Sequence, residues 1–470
     1  NSKIMALTIE QNPLYTLNPV GQEVIFTVLD AATVSAYFNV KYVAEVHIST
    51  VDINLATTTA IVGTFKTTPN NTGAGMFDCR PILESFVSPD NLAALGSSYK
   101  TDATSAIITH PLHLVDKFSL NDNVVRYLKI RFTIEGSATA AGTPIQIGSE
   151  VDSSQYTLIN GYLKYTDVQD RNATGDFGFD TGIFQLGAGA SGNQLLTNAP
   201  LTQYANIDDY GTLSFMATPL SGSVAATTID HFDITLIDTS GAPTVITIDN
   251  LDANGGNTTW TSDTKNQLLH LGCFPANLKN WSAVFLAAIS TLDYYFVQAF
   301  NASNALISDR ITISINCPTL KGFEPIRLTW LNQWGVWDYY TFKMKSTKTI
   351  STKGSTYQQL EGTWNESIYS PSGYRGGKKA FRVNATEKIK MNTDFVNEAE
   401  SEWFEELINS PEVYILDGFQ TDPTTPLLST YVTPARLTTS SFTKKTIAND
   451  KLIQYTFEVE KSKTLRTQSV

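Results

Sequence analysis

Apolar and polar residues alternate along several short segments of the chain, and a period of two is the pattern of a half-buried β-strand. In residues 37–48, Val40 and Val46 fall on one face of the predicted strand. The charged Lys41 and Glu45 fall on the opposite face. Similar patterns predict strands at residues 23–29, 60–66, 124–134, 211–216, 230–238, 243–249, 292–300, 305–316, 412–416 and 452–459.

Turn-forming residues separate these segments. The pair Asn160-Gly161 predicts a tight hairpin within residues 155–166, because both residues tolerate the positive φ of a two-residue turn. Residues 168–195 are rich in Gly, Asn, Asp and Ser, which predicts a linker at a domain boundary. Short strands between such turn clusters are typical of β-sandwiches.

The best helical pattern lies near the C-terminal end. Thr393 is the predicted N-cap, Asp394 suits the positive end of the helix dipole, and Pro411 follows the predicted end. The apolar stripe consists of Val396, Ala399, Trp403 and Leu407. Four carboxylates fall largely off this stripe: Glu398, Glu402, Glu405 and Glu406. A shorter helix is predicted at residues 80–87.

Length and pattern together predict a mainly β protein of three domains. A chain of 470 residues is too long for one ordinary core, since domains usually contain about 100–200 residues. Residues 1–190 are predicted to form an N-terminal β-sandwich with a Gly/Asn-rich linker at its end. Residues 191–318 are predicted to form an immunoglobulin-like β-sandwich. Residues 319–470 contain five of the seven tryptophans and are predicted to form an α+β domain with one helix on a sheet.

The net charge of −12 is unevenly distributed. Residues 1–316 contain 14 Lys and Arg against 28 Asp and Glu, a balance of −14, whereas residues 317–470 contain 19 against 17, a balance of +2. Binding along a nucleic-acid backbone requires clustered Lys and Arg. We therefore expect no direct, sequence-specific contact with nucleic acid.

The three cysteines, Cys79, Cys273 and Cys317, have no metal-binding spacing and form no disulfide framework. Cys273 and Cys317 could face each other, but buried free thiols are favoured, as in a protein made in a reducing compartment. No apolar run of 18 residues occurs, so no membrane span is expected. The first residues contain no apolar segment of the kind found in signal peptides.

Candidate chemistry is sparse. His110 and His113 are close in sequence, but Asp116 is the only nearby carboxylate, and a metal site needs three or four ligands. His47 and His231 lie in predicted strands and are interpreted as structural. The chain contains no Gly-x-Ser-x-Gly, no His-Glu-x-x-His and no Gly-x-x-x-x-Gly-Lys-Ser/Thr motif. The glycines of residues 187–192 lack the strand and helix of a nucleotide site and are interpreted as flexible linker. We therefore predict no catalytic, cofactor-binding or metal-binding residues, no cofactor and no enzymatic activity.

Paired carboxylates are the remaining route to enzymatic chemistry or metal binding. A glycosidase uses two carboxylates flanking its substrate, but Glu405 and Glu406 are adjacent on the predicted helix and are interpreted as its solvated face. Clustered oxygens at Asp208-Asp209, or at Asp249 and Asp252, could hold Ca²⁺. Solvated turn carboxylates are the favoured interpretation of both pairs.

Aromatic residues are densest in residues 323–342, where alternation predicts a hairpin with its turn at residues 332–335. The predicted interface residues are Trp330, Trp334, Trp337, Tyr339 and Tyr340. Aromatic side chains bury large areas, so a domain core with a domain–domain contact explains this cluster most simply. A contact between subunits is the functional alternative, because Trp and Tyr dominate interface hot spots. A third alternative is that these aromatic rings stack on a sugar.

Three parts of the chain carry a resemblance to known proteins. The first comprises NPVGQEVIFTV, FNVKYVAEVHIS and PNNTGAGMFDCRPILESFVS. The second is PIRLTWLNQWGVWDYYTF, and the third is FVNEAESEWFEELINSPEVYIL with KLIQYTFEVEKS. These stretches resemble structural proteins of tailed bacteriophages, in particular the crAss-like phages of Bacteroidetes. Such proteins are virion components of necks, tails, collars and baseplates. The resemblance implies symmetric oligomers, often rings around the tail axis, and transfers no catalytic residues.

The resemblance therefore implies a non-catalytic ring component of the phage neck or tail, located in the virion and assembled in the cytoplasm of the host bacterium. Its expected partners are copies of itself and neighbouring tail, portal or collar proteins. A closed ring repeats one heterologous contact by rotation. A receptor-binding or collar/baseplate appendage is the alternative, and a tail-associated glycosidase is a weaker one.

Overall fold

A computed structural model describes residues 6–13, 17–50, 53–56, 60–87, 112, 117–121, 125–164, 195–216, 229–249, 268–301, 303–316, 323–363, 366–371, 373–416, 432–445, 452–463 and 465–466. Strands account for 48% of the protein and helices for 11%, which confirms the prediction of a mainly β protein. None of the helices in these ranges is long and apolar enough to span a bilayer.

Strands and helices of the described ranges are numbered in chain order. The strands are β1 Thr8–Gln11, β2 Leu17–Pro19, β3 Ile25–Leu29, β4 Phe38–Ser49, β5 Gly63–Thr67, β6 Ala74–Asp78, β7 Phe118–Asn121, β8 Val125–Ser137, β9 Ile145–Gln146, β10 Val151–Asp152, β11 Tyr156–Ile159, β12 Thr202–Ala205, β13 Leu213–Met216, β14 His231–Asp238, β15 Pro243–Asp249, β16 Leu268–Leu271, β17 Leu292–Phe300, β18 Ile311–Ile315, β19 Ile326–Leu331, β20 Trp337–Phe342, β21 Ser346–Gln359, β22 Gly377–Asn392, β23 Val413–Leu416, β24 Val432–Leu437, β25 Thr456–Lys461 and β26 Leu465–Arg466. The helices are α1 Ala31–Ala36, α2 Arg80–Leu83, α3 Pro275–Trp281, α4 Ala283–Ala288 and α5 Glu398–Asn409.

The chain forms two compact units. Unit 1 contains the described residues of 1–316 together with Leu331–Asp338, which form the end of the β19–β20 hairpin. Unit 2 contains the described residues of 317–330, 339–418 and 429–470. The division into domains at 1–190, 191–318 and 319–470 stays a prediction.

The first core of unit 1 joins two sheets. A seven-stranded sheet has the order β2–β11–β8–β4–β5, with β9 and β10 also paired to β8, and a three-stranded sheet has the order β1–β3–β6. Phe26 of β3 and Phe77 of β6 each lie 5.6 Å, between ring centroids, from Phe132 of β8. The alternation predicted in residues 37–48 is confirmed in part, because Tyr42 and Val46 are buried in this core.

The second core of unit 1 lies between a five-stranded sheet, a three-stranded sheet of order β13–β16–β7 and two short helices. The strand order is β12–β18–β17–β14–β15, so β15 is an edge strand. Alternate residues of β14 face inwards, and Phe285 of α4 packs edge-to-face on Tyr295 of β17. The Tyr295 hydroxyl donates to the carbonyl of Cys273 at 2.7 Å. The pattern predicted β14, β15, β17 and β18, but it did not predict β12, α3 or α4.

A third apolar cluster in unit 1 includes the end of the aromatic hairpin. Trp334 and Val336 are buried there with Leu17, Val125 and other side chains of the unit. The hairpin predicted at Asn160-Gly161 is wrong, because β11 ends at Ile159 and no strand follows in residues 160–164. Instead, the amide of Tyr162 donates to the carbonyl of Gln333 at 2.9 Å. A Cβ at residue 161 would crowd that same carbonyl, so glycine permits the close approach.

Unit 2 contains an eight-stranded sheet of order β20–β19–β23–β24–β25–β22–β21, with β26 also paired to β22. Strands β20 and β21 are the two outermost strands of this order, yet only three residues, 343–345, connect them along the chain. Six strand spacings would cover about 29 Å on a flat sheet, at about 4.8 Å each. The short connection spans at most about 14 Å. The sheet must therefore curl, which brings its two edges together.

Helix α5 packs on this sheet through aromatic side chains. The Phe404 ring centroid lies 4.9 Å from that of Tyr340 in β20 and 5.5 Å from that of Phe457 in β25. Trp403 lies 5.0 Å from Trp330 in β19. One apolar helix face on a sheet was predicted, and Trp403 and Leu407 are buried as expected, although Ala399 is exposed.

Two details of the predicted helix were wrong. The N-cap is Asn397, whose side chain accepts from the amide of Glu400 at 2.8 Å, while the Glu400 carboxylate accepts from the amide of Asn397 at 2.7 Å. Thr393 instead exchanges backbone and side-chain hydrogen bonds with Tyr455, so the chain is still extended there. Glu406 is 1% exposed and belongs to the buried face, not to a solvated one.

Candidate assembly site

The predicted interface residues divide between the two units. In unit 1, Trp334 and Trp337 are buried. The carboxamide oxygen of Asn332 accepts from the amides of Trp334 and Val336, at 2.9 and 3.2 Å, and closes the predicted turn at residues 332–335. Gly335 adopts a φ of +74°, as such a turn requires.

In unit 2, Trp330 and Tyr339 are buried and Tyr340 is partly buried. Burial raises the pKa of Tyr340, whose hydroxyl accepts from the amide of Asp394 at 3.2 Å. The Arg327 guanidinium lies 5.2 Å from the ring of Tyr339. Four of the five predicted interface side chains are thus interior to the chain, which gives them a role in its core. Their contact with another subunit stays a prediction.

The histidines of the described ranges sit in structural settings. Nδ1 of His47 lies 2.9 Å from the carbonyl of Ala60, and Nδ1 of His270 lies 2.9 Å from the Ser214 hydroxyl. His231 stacks on Phe300, with centroids 5.2 Å apart. Within the part of the chain that the structure describes, no group of three or more His, Cys, Asp or Glu could hold a metal ion.

Three of the carboxylates considered from the sequence have protein partners: Glu405, Asp208 and Asp209. Glu405 forms an ion pair with Lys444 at 2.7 Å, which raises the pKa of that lysine. Asp209 is buried and accepts from the amide of Asn206 at 2.7 Å, while Asp208 pairs with Lys279. Several sequence candidates lie outside the described residues, namely His110, His113, Asp116, the glycines of 187–192, Asp252 and Cys317.

The feature that stands out for binding is a long hairpin, β21–β22 with its connecting loop, residues 346–392, which we call the arm. The two strands pair from Ser346 opposite Met391 out to Gln359 opposite Gly377. Ten consecutive residues of β21, 347–356, are exposed. Strand β25 pairs with β22 only over Lys388–Asn392, and β26 only at Asn384 and Ala385. From Gly354 to Val383, the arm is therefore a two-stranded ribbon.

Such a ribbon is marginally stable in water unless something packs on it. A bulge leaves Phe381 without a cross-strand partner in β21, and its ring contacts Tyr357 edge-to-face at 6.4 Å. The loop at the end of the arm, residues 360–376, is organised by Thr363. Its hydroxyl donates to the carbonyl of Ile368 at 2.8 Å and accepts from the amide of Ser370 at 2.9 Å.

Large apolar and aromatic side chains are exposed on the outer arm. The exposed fractions are 66% for Leu360, 76% for Ile368, 60% for Tyr369, 74% for Tyr374 and 54% for Phe381. Single exposed apolar residues are ordinary on protein surfaces, but a group of them on one projecting element marks an interaction site. Tyr is also among the residues enriched at interface hot spots.

The arm is basic within an acidic chain. Residues 346–392 contain eight Lys and Arg against three Glu, and 8 − 3 gives +5, whereas the whole chain carries −12. Two cations near the base of the arm are paired, Lys348 with Glu324 at 2.7 Å and Lys388 with Glu458 at 3.4 Å. In the described ranges, the outer cations Arg375, Lys378, Lys379 and Arg382 form no ion pair. The outer arm thus combines exposed apolar side chains with unneutralised positive charge.

The arm was not predicted from the sequence, since no strand was expected between residues 343 and 411. The signal that could have revealed it is the period-two series Val383, Ala385, Ile389 and Met391. The partner strand β21 is mostly Ser, Thr, Lys and Gln and has no apolar face. A strand without an apolar face gives no alternation to detect.

No protein-family model matches the chain, and a comparison with curated proteins finds no significant match.

Proposed function

We propose that this protein is a non-catalytic structural component of a tailed-bacteriophage virion, most simply a ring component of the neck or tail that assembles through its arm. The observation that carries the proposal is the outer arm, residues 354–383. Its apolar side chains are exposed. Its outer cations form no ion pair with any residue that the structure describes. A projecting ribbon of this kind gains stability only by packing on another surface, which favours an assembly role.

On this proposal the protein is located in the tail or collar of the virion and is assembled in the host bacterial cytoplasm. Its partners are further copies of the chain and neighbouring tail, portal or collar proteins. The shared core of the β4–β8–β11 and β1–β3–β6 sheets supports a β-sandwich in the N-terminal part of unit 1. An immunoglobulin-like sandwich around the five-stranded sheet is part of the same proposal.

A shortened arm tests the assembly role without disturbing the base. Lys353 and Asn384 are direct cross-strand partners, so an Asn-Gly turn can replace Gly354–Val383 and close the hairpin between them. Full-length chains are expected to form a discrete multi-copy species by mass photometry, and the shortened chain is expected to stay monomeric. In phage complementation, only full-length protein should be recovered in particles at multi-copy stoichiometry.

Matched controls separate assembly from folding. The shortened chain should keep the circular dichroism spectrum and melting temperature of the full chain within a few degrees, and a Ser351→Ala variant should assemble normally. If the folded, shortened chain assembles and enters particles as the full chain does, the assembly role of the arm is wrong.

A receptor-binding appendage is the second candidate, favoured by the exposed Tyr369 and Tyr374 at the end of the arm. Tyrosine rings have an apolar face and a polar hydroxyl, which suits contact with sugars. Binding of the full chain on an array of bacterial surface glycans, lost in Tyr369→Ala/Tyr374→Ala, would support this candidate. An array without hits would remove it.

A further inference from the structure

Unit 1 has a groove whose chemistry complements the end of the arm. The groove lies between helix α4 and the β14–β15 hairpin and has a volume of about 550 Å³. Its walls include Leu236, Thr244, Val284 and Leu292. Val284 is 45% exposed, and the neighbouring Leu286 is 52% exposed. The groove is thus a mostly apolar depression open to solvent.

The groove contains one carboxylate. Asp238 lines it, and its Oδ1 accepts from the Ser240 hydroxyl at 2.6 Å and from the amides of Ser240 and Ala242 at 2.8 Å. These hydrogen bonds, that from Ser240 first, lower the pKa of Asp238, so the carboxylate is ionised at neutral pH. The five strands of this sheet contain four aspartates and no Lys or Arg. One of them, Asp293, is exposed next to Leu292.

The end of the arm offers the opposite charge and similar apolar character. Ile368, Tyr369 and Tyr374 are exposed there, and the Arg375 guanidinium lies 5.4 Å from the Tyr374 ring. The five-stranded sheet already holds one cation in this way, since the Arg310 guanidinium lies 3.8 Å from the Phe296 ring. A volume of about 550 Å³ accommodates a few side chains of this size.

We infer that the end of the arm of one copy docks in the α4–β14–β15 groove of a second copy. This inference rests on the proposed assembly function and names the partner of the arm. The exposed apolar side chains of residues 368–374 fill the groove, and Arg375 and Lys378 face the carboxylates of Asp238 and Asp293. The arm and the groove are different surfaces of the same chain, so the contact is heterologous and can repeat around a ring.

Charge reversal on each side tests this contact. Thr244→Lys/Asp293→Lys reverses the groove at exposed positions, and Arg375→Glu/Lys378→Glu reverses the arm. Each double variant should weaken self-association of the full chain at least about tenfold, because like charges then face each other. The chain carrying all four substitutions should recover much of the loss. Sedimentation equilibrium at low and high salt measures the association constants.

The outcomes separate this inference from the proposed function. If the arm variant fails to associate while the groove variant associates normally, the arm binds elsewhere and the groove inference is wrong, although the assembly role stands. Failure of the four-substitution chain to recover also overturns the inference, provided that its melting temperature is unchanged. If the shortened arm has no effect on assembly, the proposed function itself fails.

A disulfide cross-link tests the geometry independently, because two cysteines bridge only when their Cα atoms lie within about 7 Å. A chain carrying Tyr374→Cys and Val284→Cys is expected to form cross-linked multimers under mild oxidation. The control pair, Thr352→Cys with Val284→Cys, places one cysteine near the base of the arm and should not cross-link. A cross-link within a single chain, or equal cross-linking by both pairs, would overturn the inference.

Discussion

Two consecutive hairpins of this protein have nearly opposite surroundings. In β19–β20, eleven of the twelve strand residues are buried, whereas ten consecutive residues of β21 in the following hairpin are exposed. The first hairpin is stabilised by side chains packed on both of its faces. The outer part of the second, from Gly354 to Val383, has the cross-strand pairs of β21 and β22 but no pairing with β25 or β26. The aromatic density of the first hairpin therefore serves the fold, while the polar strand β21 of the second lies in solvent.

The largest expected contrast comes from removing an aromatic side chain in each hairpin. Trp330→Ala deletes a ring that is 0% exposed and lies 5.0 Å from Trp403, so we expect a loss of about 3–5 kcal/mol in the free energy of unfolding. Tyr369→Ala on the arm should change it by less than about 0.5 kcal/mol. Urea denaturation of the monomeric chain measures both. Similar losses of unfolding free energy in the two variants would show that Tyr369 on the arm is packed within the monomer.

A pair of glycines sharpens the same contrast. Gly335 has a φ of +74°, and a Cβ there would overlap the carbonyl of Asn160, so Gly335→Ala should cost about 2–4 kcal/mol. For Gly354 in the arm, a Cβ would meet the carbonyl of Arg382 at 3.4 Å, which is ordinary contact. Gly354→Ala should change stability by less than about 1 kcal/mol. The melting temperatures of the two variants measure this difference. An equal fall in melting temperature for Gly335→Ala and Gly354→Ala would contradict the expected contrast.

A smaller difference is expected for hydroxyl deletions. Tyr340→Phe removes the acceptor of the Asp394 amide, which should cost about 0.5–1.5 kcal/mol. Tyr374→Phe, on the exposed end of the arm, should leave the free energy of unfolding unchanged in the same denaturation assay. An unchanged Tyr340→Phe variant would mean that water replaces the hydroxyl and that this position is less enclosed than the structure indicates.

The smallest expected effect concerns pH. Burial raises the pKa of Glu400 in the cap of α5, so the folded chain holds the proton more tightly than the unfolded chain does. The stability contributed by this carboxyl is fully present below its unfolded pKa and is lost as the pH rises through its folded pKa. Glu400→Gln keeps a side-chain acceptor for the Asn397 amide and should gain stability relative to wild type as the pH rises above 4.5, the ordinary pKa of a glutamate. Glu366→Gln on the exposed arm is the matched control, and an identical pH profile for both variants would contradict this assignment.

Local patterns were sufficient for part of the fold. The β4 strand was predicted from alternation alone, and the 332–335 turn from Asn332 and Gly335, because these features depend on neighbouring residues. The helix was also visible, but its first residue was not. Thr393 is a good N-cap by type, yet its hydrogen bonds go to Tyr455, 62 residues away along the chain. A hydrogen-bond partner so distant along the chain cannot be recognised from the residues around Thr393.

The candidate site shows the same limit more strongly. Aromatic density pointed to residues 330–340, and the structure places most of those side chains in the interior. The arm was overlooked because β21 has no apolar face, and a strand exposed on both faces lacks the alternation that predicts strands.

The amino-acid order alone was enough to establish the β-rich class, several strands and one tight turn, because side-chain periodicity and backbone preferences act over a few residues. Which strands lie under other elements depends on contacts between distant segments. The curled sheet of unit 2 enclosed Trp330 and Glu406 and left residues 347–356 in solvent. Exposure is set by what covers a segment, and that is a property of the folded chain.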